Sequence, residues 1–243
     1  MTKQGWLTSR LLRYGAAMPT PLPPSLPPLA NPEIELAISY AAPAHRPALW
    51  ALWALDAQLA AMLARASDPM LARLRLTWWR EALIRLDTAP APAQPLLAAI
   101  ATGILPGGVT GEDLAVLTDG WESLLVPDPL AAEDVRDYAR GRGALFVLGG
   151  QLLGAASPTL VAAGEGWALA DLAGHVRSEE TAAMAHGLAA PLVRQALVAR
   201  WPRALRPLGV VLVLAERDLR RPGEPRGAPR RVLRMVRHRI TGR

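Results

Sequence analysis

Helix-starting residues recur along this chain at helix-length intervals, and that recurrence leaves little room for a sheet. Asn31-Pro32-Glu33 joins an N-capping side chain, a proline at the first helical position and an acid set against the helix dipole. Asp68-Pro69, Ser157-Pro158 and Ser178-Glu179-Glu180 repeat that chemistry, and Thr110-Gly111-Glu112-Asp113 is a close relative. Between the starts run apolar residues at helical spacing. Leu71, Leu74, Trp78, Ala82 and Leu86 share one face, as do Leu114, Leu117, Trp121 and Leu125. Stops are equally plain at Pro90 and Pro92, Pro106-Gly107-Gly108, Pro127 with Pro129, and Pro222-Gly223. The one β-branched run, Val210-Val211-Leu212-Val213, continues into a helical pattern. The sequence predicts an all-α fold of nine or ten helices.

Two flanking segments differ from this body. The N-terminal thirty residues hold a proline run, Met18 to Pro28, that reads as an extended, partly disordered arm without a secretory signal. Residues 31–243 read as a single helical domain. Gly143 to Gly164 carries no charge and is long enough for a bilayer span. Gly149-Gly150, Gly154 and Ser157-Pro158 interrupt it, so a buried helix pair is expected.

Charge narrows the function classes. The chain carries a net +6, but from Glu216 to Arg243 ten arginines face three acids, so this tail holds +7 and the rest −1. Lys3 is the only lysine, a bias that codon composition can produce without selection for phosphate contacts, so nucleic acid is not the expected partner. The final helix places Val232, Val236 and Ile240 on one face among Arg230, Arg231, Arg234 and Arg237. Two readings stay open: an end helix packed on the body with a solvated arginine rim, or a surface for anionic lipid. With no cysteine and four scattered histidines, disulfide scaffolds, iron–sulfur clusters and zinc centres are excluded or disfavoured, and no metal site is expected. Nucleotide-binding glycine motifs and a serine-nucleophile elbow are absent from the sequence.

What remains are constellations on helices. In order they are Ser39-Tyr40, Trp50-Ala51-Leu52-Trp53-Ala54-Leu55-Asp56, Trp78-Trp79-Arg80-Glu81, Thr118-Asp119-Gly120-Trp121-Glu122, Tyr138-Ala139-Arg140-Gly141 and Ala170-Asp171-Leu172-Ala173-Gly174-His175. Order and spacing resemble the squalene/phytoene synthase family of head-to-head prenyl synthases. That resemblance implies an isoprenoid-synthase-like helical bundle around a central cavity. In such enzymes two facing D-x-x-x-D motifs put carboxylates one turn apart on one helix face, where they hold Mg²⁺ against a diphosphate. Here the first motif's positions fall on Ala60 and Ala64, and the second's on Gly174, His175 and Glu179, so Glu179 is the one acid left.

The same stretch is similar to a divergent branch of the family that includes assembly factors for the membrane NADH dehydrogenase. The expectation is a non-catalytic binding or assembly factor, without catalytic residues or cofactor, that is cytoplasmic and peripheral to a membrane face. Its partner would be an apolar isoprenoid-like ligand or another protein. Cavity candidates are Tyr40, Trp53, Asp56, Trp79, Asp171, His175 and Glu179. Aromatics such as Trp53 and Trp79 suit an apolar ligand, and equally suit a packed core. A buried Asp56 needs a cationic partner, for which Arg46 and Arg80 are the candidates. The alternatives are a working Mg²⁺-dependent prenyl transferase, and an arginine-tailed adaptor for nucleic acid or membrane.

Overall fold

The computed structural model describes residues 28–65 and 68–243, so the proline-rich arm expected at the N-terminus lies almost entirely outside the described residues. Ten α-helices and no strand are found among them. They are α1 (Pro32–Ser39), α2 (Arg46–Ala64), α3 (Pro69–Arg85), α4 (Pro95–Gly103), α5 (Gly111–Glu122), α6 (Ala132–Leu152), α7 (Thr159–His175), α8 (Glu179–Val198), α9 (Arg206–Arg220) and α10 (Pro229–Thr241).

The starts behave as capping chemistry dictates. The Asn31 side chain accepts from Glu33 N–H, Asp68 from Met70 N–H and Ser178 from Thr181 N–H. Thr110 and Asp113 form a reciprocal capping box. The uncharged stretch from Gly143 divides into the end of α6 and the start of α7, broken at Gly154 with φ 67°, which favours glycine. Pro43–Ala64, which includes α2, is long and apolar enough to cross a membrane, but most of it is buried inside the bundle.

Helix α7 is central and packs on α6, α8 and α9, while α5 joins α6 to α3. Two glycine crossings pull this middle layer together. A Cβ on Gly141 of α6 would stand 2.5 Å from Gly120 Cα of α5, and one on Gly143 would stand 2.6 Å from Glu165 N of α7. No side chain fits either crossing, so the backbones touch, and the residue between the two glycines is held tightly in register. That residue is Arg142.

Two amphipathic helices are turned differently from the plain apolar-in expectation. In α3 the core takes Ala72, Leu76, Trp79 and Leu83, whereas Met70 and Leu74 are 60% and 59% exposed, and Leu71 and Trp78 are also exposed. Ala82 and Leu86, on the flank of the stripe, are buried. In α10 the body-facing residues are Arg231, Met235 and His238, while Leu233 and Ile240 stand 68% and 67% exposed. Packing of the Val232, Val236 and Ile240 face on the body is therefore corrected. The reason lies in α1: Glu33 is buried there and binds Arg231 through both carboxylate oxygens at 2.8 Å, which fixes the roll of α10.

Candidate functional site

A cavity of about 390 Å³ opens between α1, α2, α5, α6 and α7. Its size lies within the ~300–1,000 Å³ usual for small-molecule sites. Most of the wall is apolar. Ile34 comes from α1, Trp53, Ala57, Ala60, Leu63 and Ala64 from α2, Trp121 from α5, and Trp167, Leu172 and Val176 from α7 and its end. The polar lining is short: Asn31, Asp56, Tyr138, Arg142, Asp171, His175 and, from the α9–α10 connection, Arg226.

Helices α2 and α7 face each other with one carboxylate apiece, and the Arg142 guanidinium lies between them. Arg142 donates from Nε and Nη2 to the two oxygens of Asp56, both at 2.9 Å, and from Nη1 to Asp171 Oδ2 at 2.5 Å. Nη1 also donates to the Tyr138 hydroxyl. Trp121 Nε1–H donates to Asp56 Oδ1 at 3.1 Å. Two indoles sandwich the cation, with the Arg142 Cζ 4.6 Å from the Trp121 ring centre and 4.3 Å from that of Trp167. The cluster holds two acids and one buried base, so it carries a net −1 beneath the apolar wall.

Arg142, Asp171 and Tyr138 titrate as this geometry requires. Burial opposes the charge on Arg142, but Asp56, Tyr138 and Asp171 outweigh it and raise its pKa well above the usual arginine value. For Asp171, burial pushes the carboxyl up, yet Arg142 and then His175 hold it below the ordinary aspartate value. Burial first, and then the Asp171 and Asp56 charges, drive the Tyr138 phenol upward against the pull of Arg142, so it stays protonated.

The candidates read from the sequence separate into two groups. Trp53, Asp56, Asp171 and His175 line the cavity, with His175 at the rim, 60% exposed, its Nδ1 2.7 Å from the Asp171 carbonyl. Tyr40 does not line it: its ring lies 4.5 Å from the Arg239 guanidinium on the α10 side. Trp79 is buried in a separate groove between α2 and α3, with Gln58, Met62 and Trp78. Glu179 is exposed on the first turn of α8, and the break at Val176 to Ser178 separates it from His175, so the two share no face.

Asp56 pairs with neither expected arginine. Arg46 donates to the Ala41 carbonyl, and Arg80 pairs with Asp119 at 2.8 Å on the surface. Arg142 was the residue missed, and a signal for it existed. Val135, Tyr138, Arg142 and Leu145 fall at helical spacing on one buried face of α6, which makes Arg142 a cation at an apolar register position. Arg231, read as part of an anion-binding surface, is buried and committed to Glu33 and Asp218.

Ala60 and Ala64 face this cavity. A Mg²⁺ cluster needs several oxygen ligands on each wall, and these two methyl groups offer none. Asp56 and Asp171 are engaged by Arg142, and no group of three or more acids or histidines able to hold a metal occurs among the described residues. The donor set does not fit the metal cluster that a prenyl-diphosphate enzyme requires.

A helical bundle with an apolar central cavity, walled by two facing helices, is the architecture of isoprenoid-synthase-like proteins. The sequence model of the squalene/phytoene synthase family matches residues 31–163, more than half of the chain, and the protein belongs to that family. Neither a curated protein nor a solved structure matches it significantly. The matched stretch contains the Ala60 and Ala64 wall and Arg142, and it ends within α7, before Asp171.

Proposed function

We propose that this protein is a non-catalytic member of the squalene/phytoene synthase family that binds an apolar, isoprenoid-like ligand in its central cavity. The observation that carries the reading is Arg142. A fixed guanidinium, sandwiched by Trp121 and Trp167, bridges the carboxylates of α2 and α7, while alanines stand at the neighbouring positions 60 and 64. An internal salt bridge engages both carboxylates of the polar floor, leaving an apolar volume suited to a prenyl chain and no free carboxylate wall for a diphosphate-bound metal.

The test has two arms. Purified protein incubated with farnesyl or geranylgeranyl diphosphate and Mg²⁺ releases no diphosphate; release at ordinary enzymatic rates, about 1 s⁻¹ or faster, establishes the prenyl-transferase reading instead. Farnesol or geranylgeraniol quenches tryptophan fluorescence saturably, because Trp53, Trp121 and Trp167 line the cavity. Ala57→Trp fills the cavity and abolishes the quench. Unsaturable quenching, or quenching that survives the filled variant, removes the ligand reading.

A protein partner is supported by a second observation. Met70, Leu71, Leu74 and Trp78 form an exposed apolar face on α3, and the resemblance to assembly factors of the membrane NADH dehydrogenase supplies a partner for it. NADH dehydrogenase subunits co-purify with the wild-type chain from solubilised membranes and are lost with Leu74→Glu/Trp78→Glu. Equal recovery with both chains refutes the assignment.

A further inference from the structure

Helix α10 is amphipathic with its apolar stripe facing out. Leu233, Val236 and Ile240 recur at helical spacing along the solvent side, and Leu233 and Ile240 are about two-thirds exposed. Arg230 and Arg237 flank that stripe, both exposed. Neither has a carboxylate partner among the described residues, and no acid follows Glu224 in the sequence. The nearby acids are used internally: Glu216 pairs with Arg220 and Arg234, Asp218 with Arg231, and Glu224 with Arg217.

The helix is also rigidly held. Arg231 ties its first turns to α1 through Glu33, Arg200 donates to the Thr241 carbonyl at 2.7 Å, and Arg206 donates to the Arg239 and Ile240 carbonyls at 2.9 Å. These three anchors fix which face points outward.

We propose that the outer face of α10 docks on an anionic lipid bilayer. The occupant follows from charge and apolarity together. Unpaired arginines beside a row of aliphatic side chains match a surface that offers phosphates and acyl chains within a few ångströms of each other. A nucleic-acid backbone satisfies the arginines but leaves Leu233 and Ile240 without an apolar counterpart, and no exposed aromatic on α10 is placed to stack on bases. Because the helix is preformed, binding costs no helix-ordering entropy. The proposal stands apart from the cavity reading and requires no ligand there.

Sedimentation of the full chain with phosphatidylcholine vesicles, with and without a phosphatidylglycerol fraction, tests this. The chain sediments with the anionic vesicles alone and is released when salt rises from about 0.1 M to about 1 M, where the Debye length shrinks from ~10 Å to ~3 Å. Arg230→Gln and Arg237→Gln each weaken partitioning about fivefold, as expected for roughly one Boltzmann-weighted contact per arginine near an anionic surface. Leu233→Ser/Ile240→Ser weakens it by about tenfold or more. All four side chains are exposed, so thermal melting of the variants stays at the wild-type midpoint and the loss is one of docking. Absence of binding to anionic vesicles overturns the proposal. So does binding that ignores the Leu233 and Ile240 change, or a salt-dependent complex with duplex DNA equally indifferent to it.

Discussion

Replacing Arg142 with methionine separates a structural cation from a dispensable one. Among the described residues Arg142 is the only positive charge paired with Asp56, and its two bonds there, together with the one to Asp171, lie in a site where both Asp56 and Arg142 side chains are 6% exposed. Removing one partner of such a buried pair costs about 3–5 kcal/mol, because the other charge is left uncompensated. Loss of stacking on Trp121 and Trp167 adds to this, at up to ~2 kcal/mol for a desolvated cation–π contact, and the methionine thioether restores part of it. A total near 4–5 kcal/mol is a large share of the ~5–15 kcal/mol that holds a domain together, and it lowers the melting midpoint by roughly 10–20 °C. Differential scanning calorimetry reads that shift directly. Adding Asp56→Asn to Arg142→Met removes the stranded acid and recovers about 2 kcal/mol or more, whereas independent sites would show plain addition.

The pH dependence of the Arg142→Met variant gives a sharper check because its sign reverses. In the native protein Asp171 is held below its ordinary pKa, so its contribution is present above that ordinary value and is lost only as pH falls through the lowered one. Without Arg142, Asp171 keeps its burial and loses the main charge that holds its carboxyl down, so it moves above the unfolded value. Stability of the variant is then greatest when Asp171 is protonated and declines as pH rises from about 4, the ordinary aspartate value. A variant that loses less than about 1 kcal/mol, or whose stability rises with pH like the wild type, refutes the role given to Arg142.

Three other changes probe the frame around the site. Gly143→Ala drives a methyl into the α7 backbone at Glu165 and costs about 2 kcal/mol or more by calorimetry, with saturable prenyl-alcohol quenching weakened because Arg142 shifts. His238 is fully buried with neither ring nitrogen hydrogen-bonded, and burial, then Arg234 and Arg206, drops its pKa to about 4. The folded state therefore keeps it neutral while the unfolded chain takes up a proton, so stability is complete above about 6.5 and falls by up to about 3 kcal/mol as pH drops to about 4. Denaturant titration of His238→Leu shows that acid-side slope flattened. Burial raises the Glu33 carboxyl, but bonds from Arg231 and Gly227 outweigh it and hold it below its usual value. Glu33→Gln loosens α10, read as faster amide exchange across residues 229–241, and leaves α7 protected.

Which parts of this molecule are legible in its sequence depends on the range of the force involved. Helix starts are local. Asn31, Asp68, Thr110 and Ser178 each satisfy backbone N–H groups two or three residues away, so their chemistry is written within one turn. Helix roll is not local. The spacing of Leu71, Leu74 and Trp78 correctly puts them on one face of α3, but which face meets the core is decided by the α5 and α2 surfaces that Leu76, Trp79 and Leu83 find. In α10 one buried ion pair to Glu33, 198 residues away, outweighs the apolar stripe in setting orientation.

The polar floor of the cavity shows the same limit at the site itself. Asp56 is conspicuous on an apolar helix, and the need for a partner follows from burial alone. Choosing that partner requires knowing that Gly120, Gly141, Gly143 and Gly164 let three helices touch backbone to backbone. Only at that separation does an arginine 86 residues along the chain reach both Asp56 and Asp171. Those glycines leave no trace in hydrophobic periodicity, because a missing side chain has no polarity to plot. The G-R-G step at 141–143 therefore carries two messages: the glycines bring α5 and α7 against α6, and the arginine uses that closeness to occupy the space between two acids. The glycine crossings and the charge cluster are thus one device, so Gly143→Ala combined with Arg142→Met costs less than the sum of the two single changes.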